Sequence, residues 1–138
     1  MSLANALPAA LYSKLTGTSG LTALLAGTTS VYNIQAPDDA SLDYVVFNIQ
    51  AGGDDNESAH RTKDLLVFIR GYSSVNASMA GSIDAQIDAA LHMKPLTISG
   101  WANFWISRER DFANVEIDAS NFKTWMAGAY YRIRAEKT

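Results

Sequence analysis

Apolar and polar side chains alternate with a period of two along residues 43–50 and again along residues 63–72. In the first segment Val45, Phe47 and Ile49 project one way, and Tyr44, Val46, Asn48 and Gln50 the other. In the second, Leu65, Val67 and Ile69 form one row, and Leu66, Phe68, Arg70 and Tyr72 form the opposite one. One wholly apolar face and one mixed face are what a strand shows when its sheet is covered on one side only. A shorter strand over 30–34 precedes them, followed by the turn Gln35-Ala36-Pro37-Asp38-Asp39. The segment between the two strong strands is Gly52, Gly53, Asp54, Asp55, Asn56, Glu57 and Ser58. It is too long for a tight two-residue hairpin and predicts an acidic, glycine-rich loop.

Helical spacing brackets this block. Leu3, Leu7, Leu11 and Leu15 recur at i+4 with Ala6 and Ala10 between them, which predicts a helix over 3–15 that tolerates Pro8 near its start and ends at Gly17 and Gly20. A second helical turn is expected over 21–25, stopped by Gly27. Val75, Met79, Ile83, Ile87 and Leu91 repeat at i+4 over 74–93, with Ser73 or Ser74 as the N-cap and Lys94-Pro95 as the stop. Ala77, Ala80, Gly81, Ala85 and Ala89 keep one flank of that helix small. Three more strands are expected over 100–108, 114–118 and 124–135, the last two joined around Ala119-Ser120-Asn121. The order predicts one α+β domain over 1–138: a mostly antiparallel sheet with helices packed on one face.

Composition narrows the function more than the fold. The chain has 138 residues, 11 basic against 14 acidic, and a net charge of −3. That balance argues against a dedicated nucleic-acid binder, which concentrates basic charge on one face. With no cysteine there are no disulfides, thiolate metal sites or cysteine nucleophiles. The start, Met1-Ser2-Leu3-Ala4-Asn5, lacks a basic leader region, and no apolar run approaches the ~20 residues of a membrane span. The expectation is a soluble, intracellular protein without a membrane partner.

The same segments carry a resemblance. The chain resembles the tail-completion, or tail-terminator, family of long-tailed bacteriophages and prophages. The match runs through a first helix containing Leu7-Pro8-Ala9-Ala10-Leu11-Tyr12-Ser13-Lys14-Leu15 and the turn Leu21-Thr22-Ala23-Leu24-Leu25. It continues through Val31-Tyr32, Ala36-Pro37, Tyr44-Val45-Val46-Phe47 and Tyr72-Ser73 to the alanine-rich helix. Asp43 departs from the pattern, since many members place proline before that tyrosine. The resemblance implies a structural role in the virion tail or neck, assembled in the host cytoplasm. It implies a ring, commonly a hexamer, that caps the tail tube, stops its growth and offers a surface for head joining. The implied partners are copies of the chain itself, the major tail-tube protein and a head-completion or connector protein, with DNA crossing the lumen without specific binding. A connector ring protein and a small-ligand or peptide-binding accessory domain are the competing readings.

Catalytic chemistry is unsupported. Gly17-Thr18-Ser19-Gly20 lacks the lysine of a phosphate loop and reads as a helix stop. His60 and His92 fall in different elements, and Asp54-Asp55-Asn56-Glu57 lacks the alternating spacing of a calcium loop. No metal or cofactor is expected. Trp101, Asn103 and Trp105 share one face of a regular strand and either pack beneath the helices or form an interface patch. Arg132 and Arg134 share another face, where they meet a neighbour's acidic loop, line a lumen or guard a solvated sheet edge. The candidate assembly residues are therefore Gly52, Gly53, Asp54, Asp55, Asn56, Glu57, Arg132 and Arg134.

Overall fold

A computed structural model describes residues 1–55 and 61–138. Helices α1 (Leu3–Thr16) and α2 (Ser19–Thr22) lead into strands β1 (Val31–Asn33), β2 (Tyr44–Asp55) and β3 (Thr62–Ser73). Helix α3 (Ala77–Leu91) is followed by β4 (Thr97–Ile98), β5 (Trp101–Ile117) and β6 (Lys123–Lys137). The six strands form one sheet in the order β1-β2-β3-β6-β5-β4. The fold is α+β and the sheet is mixed: β1 runs parallel to β2, whereas the other neighbouring pairs are antiparallel.

The two-residue period is realised as one continuous core. Val45, Phe47, Leu65, Val67, Ile69, Ala129, Tyr131, Ile133 and Ala135 join Leu7, Leu11, Ile83 and Ile87 in a single buried cluster. Each fully buried Leu or Ile contributes roughly 1.5–3 kcal/mol over its exposed state. Helix α1 begins at Ser2, whose hydroxyl accepts the Asn5 N–H at 3.3 Å, and ends at Gly17. The cap of α3 differs from expectation. Asn76, rather than Ser73 or Ser74, accepts the Met79 N–H at 2.8 Å. The serines are engaged elsewhere: Asp43, only 8% exposed, accepts from the Ser73 hydroxyl at 3.0 Å and the Ser74 N–H at 2.9 Å. Asp43 thus ties the start of β2 to the entry of α3. Helix α2 differs from the turn expected over 21–25: it starts at Ser19 and ends at Thr22, and Gly20 lies within it, set against the Gln86 side chain of α3.

Two further expectations are corrected. Gly52, Gly53, Asp54 and Asp55 are not loop: they pair with Leu65, Asp64, Lys63 and Thr62 and extend β2 to Asp55. A Cβ on Gly52 would run into the Leu65 side chain and the Asp64 carbonyl, so this strand segment needs glycine there. The strands expected over 100–108 and 114–118 are one strand, β5, paired with β6 throughout. Bulges at Asn103/Trp105 and Arg108/Arg110 interrupt its alternation, and each extra residue reverses the faces taken by the residues beyond it. The hairpin at 118–122 is as expected, held by the Asp118 carboxylate, which accepts from the Ser120 and Phe122 N–H groups at 2.9 Å.

Gly128 sits where β6 crosses the β3 backbone: a Cβ would lie 2.5 Å from the Ile69 carbonyl oxygen and 2.6 Å from Arg70 Cα. Gly128→Ala should therefore cost about 1–3 kcal/mol or more in urea unfolding. Gly53→Ala, with no heavy atom of the described residues beyond its chain neighbours within 4 Å of the new methyl, should stay within about 0.5 kcal/mol. Equal losses at the two positions would contradict this packing.

Candidate assembly surface

The sheet face opposite the buried row carries charge and aromatic rings. Arg132 grips Glu109 with two parallel hydrogen bonds, Nε–Oε1 at 3.0 Å and Nη2–Oε2 at 3.1 Å, and donates through Nη1 to Asp64 at 2.9 Å. The Glu109 and Asp64 carboxylates hold the guanidinium in its charged form and raise its pKa. Arg134 pairs with Asp55. Asp54 sits apart from this pair, 3.3 Å from Lys63 and 3.8 Å from Arg61. Farther along the face Phe68, Phe112 and Tyr130 meet with ring centroids 4.8–5.4 Å apart, and Arg70 lies over the Phe68 ring. These ion pairs are about one-third exposed, apart from the less exposed Asp55, and contribute about 0–1 kcal/mol each. They fix orientation more than stability.

Arg132 and Arg134 therefore do not guard a sheet edge, because β6 lies between β3 and β5. Of the sequence-predicted residues, the structure joins Asp55 to Arg134 and sets Arg132 beside them on the same face, while Asp54 turns to other partners. Asn56, Glu57, Ser58 and His60 lie outside the described residues. The tryptophans separate as well. Trp101 is 5% exposed and donates to the Met1 carbonyl, whereas Trp105, past the first bulge, is 40% exposed.

On the buried side, Arg108 reaches α3. Its two Nη atoms donate to Asp84 at 2.9 and 2.7 Å, and Nε donates to Asp111 at 2.6 Å. Hydrogen bonding to Asp84 raises the Arg108 pKa against the opposing cost of burial. The Tyr131 hydroxyl, buried beneath, donates to Asp88 and accepts from Arg108, each at 3.2 Å. The i, i+4 placement of Asp84 and Asp88 on a helix was the available signal for a shared cation, but nothing local pointed to Arg108. His92 accepts the Arg108 N–H through Nδ1 at 3.1 Å. Among the described residues no group of three His, Asp or Glu side chains is placed to hold a metal ion, and no helix is long and apolar enough to cross a membrane.

The far end of the β5–β6 hairpin stands clear of the core. Residues 109–123 are all exposed, Phe112, Val115, Ile117 and Phe122 among them. An uncovered sheet face with self-neutralised charges and a protruding apolar hairpin describe a subunit surface more than a reaction pocket. The comparisons agree. A family model described as "Tail completion protein gp17" matches residues 9–126, and the chain belongs to that family, which makes it a structural component of a phage tail or neck. A chain in the solved structure "Virion of native gene transfer agent (GTA) particle" shares the fold at a TM-score of 0.81 and 21% identity, covering 98% of each chain. The search of curated proteins gives no match.

Burial raises the Tyr131 pKa above the ordinary 10.0, so the folded state keeps a phenolic proton that the unfolded state releases. Its contribution is intact below about pH 10 and is lost as pH rises toward the folded value. Tyr131→Phe should cost about 1 kcal/mol near neutrality for the lost hydrogen bonds. It should also give a shallower fall of Tm above about pH 10 than the parent shows, with Tyr44, whose pKa burial also raises, leaving a residual slope. Identical slopes in the two proteins would contradict the assignment.

Proposed function

We propose that this protein is the tail terminator: a ring, in the virion a hexamer, that stacks on the last ring of tail-tube subunits, stops elongation and presents a surface for head joining. The family match over residues 9–126 carries the reading. The surface supports it, because a protein that must meet its own copies, the tube protein and a head-completion protein needs several contact faces on one small domain. In this reading the segment Gly52–Asp55 lies along an intersubunit seam. Arg132 and Arg134, engaged with acids of their own chain, hold the outer face flat and nearly neutral beside it. With a net charge of −3 per chain, DNA crosses the lumen without specific binding. The ring is assembled in the host cytoplasm and stays in the neck of the virion.

Electron microscopy of tail tubes polymerised with and without the protein tests this. The expected result is shorter tubes with added density at one end only. Tubes of unchanged length with bare ends would overturn the terminator reading in favour of a connector ring or an accessory domain.

A further inference from the structure

Each outer edge of the sheet is only half covered. Strand β1 pairs with β2 at Val45–Phe47 and ends with the Ile34 N–H donating to the Phe47 carbonyl. From Asn48 to Asp55 no main-chain partner on that side appears among the described residues. On the other edge β4 pairs with Trp101 and Ala102, and the segment 92–96 reaches β5 at Asn103, Ile106 and Arg108. From Glu109 to Ile117 the outward main chain meets, among the described residues, only the Asn114 side chain, which accepts the Val115 N–H. Open edges of this length invite strand addition, and only an extended polypeptide supplies alternating donors and acceptors at their spacing.

The two open segments fit each other. Strand β2 is antiparallel to β3, β3 to β6 and β6 to β5, so β5 of one copy runs antiparallel to β2 of the next when both keep the same face toward their helices. The Asp118 N–H to Phe122 carbonyl bond sets the β5–β6 ladder, which turns the main-chain groups of Asp111, Ala113, Val115 and Ile117 outward. On β2 the bonds to Ser30 and Ile34 turn Val45 and Phe47 outward, and the bulge at Ile49/Ala51 shifts that phase to Gly52 and Asp54. Setting Asn114 opposite Gly53 brings Val115 opposite Gly52 and Ala113 opposite Asp54, so that the outward groups of these two pairs face one another. In this register the hairpin tip stops where β1 begins to occupy β2, beside the exposed Ile34.

We propose that copies of this chain join head to tail by adding the β5 edge, Glu109–Ile117, to the β2 edge, Gly52–Asp55, of the next copy, so that the sheets run on into one another around the ring. The contact is heterologous and leaves an open edge at each end of any unfinished assembly, which only closure removes. The open segments are offset by about eight residues along β3, from Asp64 to Tyr72, roughly 26 Å at ~3.3 Å per residue. A closed sheet takes up such stagger as strand tilt. The partner is a second copy of this chain because direction, face and hydrogen-bond phase agree between two segments of the same molecule.

This interface rests on the ring reading above and is tested separately from it. The chain has no cysteine, so the double variant Gly53→Cys/Asn114→Cys carries the only thiols. Gly53 has open space for a side chain, and both positions face the outer side of the sheet. Mild oxidation of the variant bound to tail tubes should give a reducible ladder of linked chains ending in a closed species, absent from either single variant. Ala113→Pro removes one outward N–H while keeping the β6 pairing, and should leave the Tm near the parent value while abolishing the ring. Tube tips that are capped without any ladder would overturn this interface and leave the terminator reading standing. A ladder without capping would do the reverse, and neither ladder nor capping would overturn both.

Discussion

The central position of β6 is the constraint on which the rest of the structure depends. Its pairing with β3 on one side and β5 on the other spans nearly the whole length of all three strands. Alternation along this one strand sends Tyr131, Ile133 and Ala135 into the core and Arg132 and Arg134 to the opposite face. The core row receives α3 through Ile83 and Ile87, and the Tyr131 hydroxyl sits beneath the Arg108–Asp84 clasp that fastens the helix to β5. The other row fixes Glu109 and Asp64 across the sheet surface. Shifting β6 by one residue would exchange the two faces, so register here is specified both by burial and by charge.

Much of this is legible in the residues. The alternation Val45-Phe47-Ile49 against Leu65-Val67-Ile69 announces paired strands, and the leucines of α1 and the isoleucines of α3 announce the helices that cover them. The misreadings have physical causes. Glycines and aspartates at 52–55 read as a loop because turn chemistry and an irregular strand end use the same residues, and only the partner β3 decides between them. The charged run Arg108-Glu109-Arg110-Asp111 hides the continuity of β5, since the bulge reverses the faces at that point and Arg108 and Glu109 find their partners Asp84 and Arg132 far away in sequence. Arg132 and Arg134 read as possible edge guards because strand order has no direct expression in the residues of a single strand.

The assembly surface is legible only through family resemblance. The chemistry of the proposed interface is main-chain hydrogen bonding along strand edges, which any residue but proline provides, so no spacing of side chains marks it. What the residues do contribute is permissive. Gly52 and Gly53 keep the β2 edge free of bulk, and the segment 109–117 contains no proline or lysine to block addition. The acidic and basic groups nearby neutralise one another within the chain, so the face beside the seam adds little repulsion between copies.

Amide hydrogen exchange, measured on the free protein and on the protein bound to tail tubes, tests the central claim most directly. The account predicts that binding slows exchange at Ala113 and Val115 and, on the opposite edge, at Gly52 and Asp54, while β6 amides stay protected in both states. Unchanged exchange at both edges, with new protection confined to the exposed side of α3 at Ala77, Gly81, Ala85 and Ala89, would contradict it.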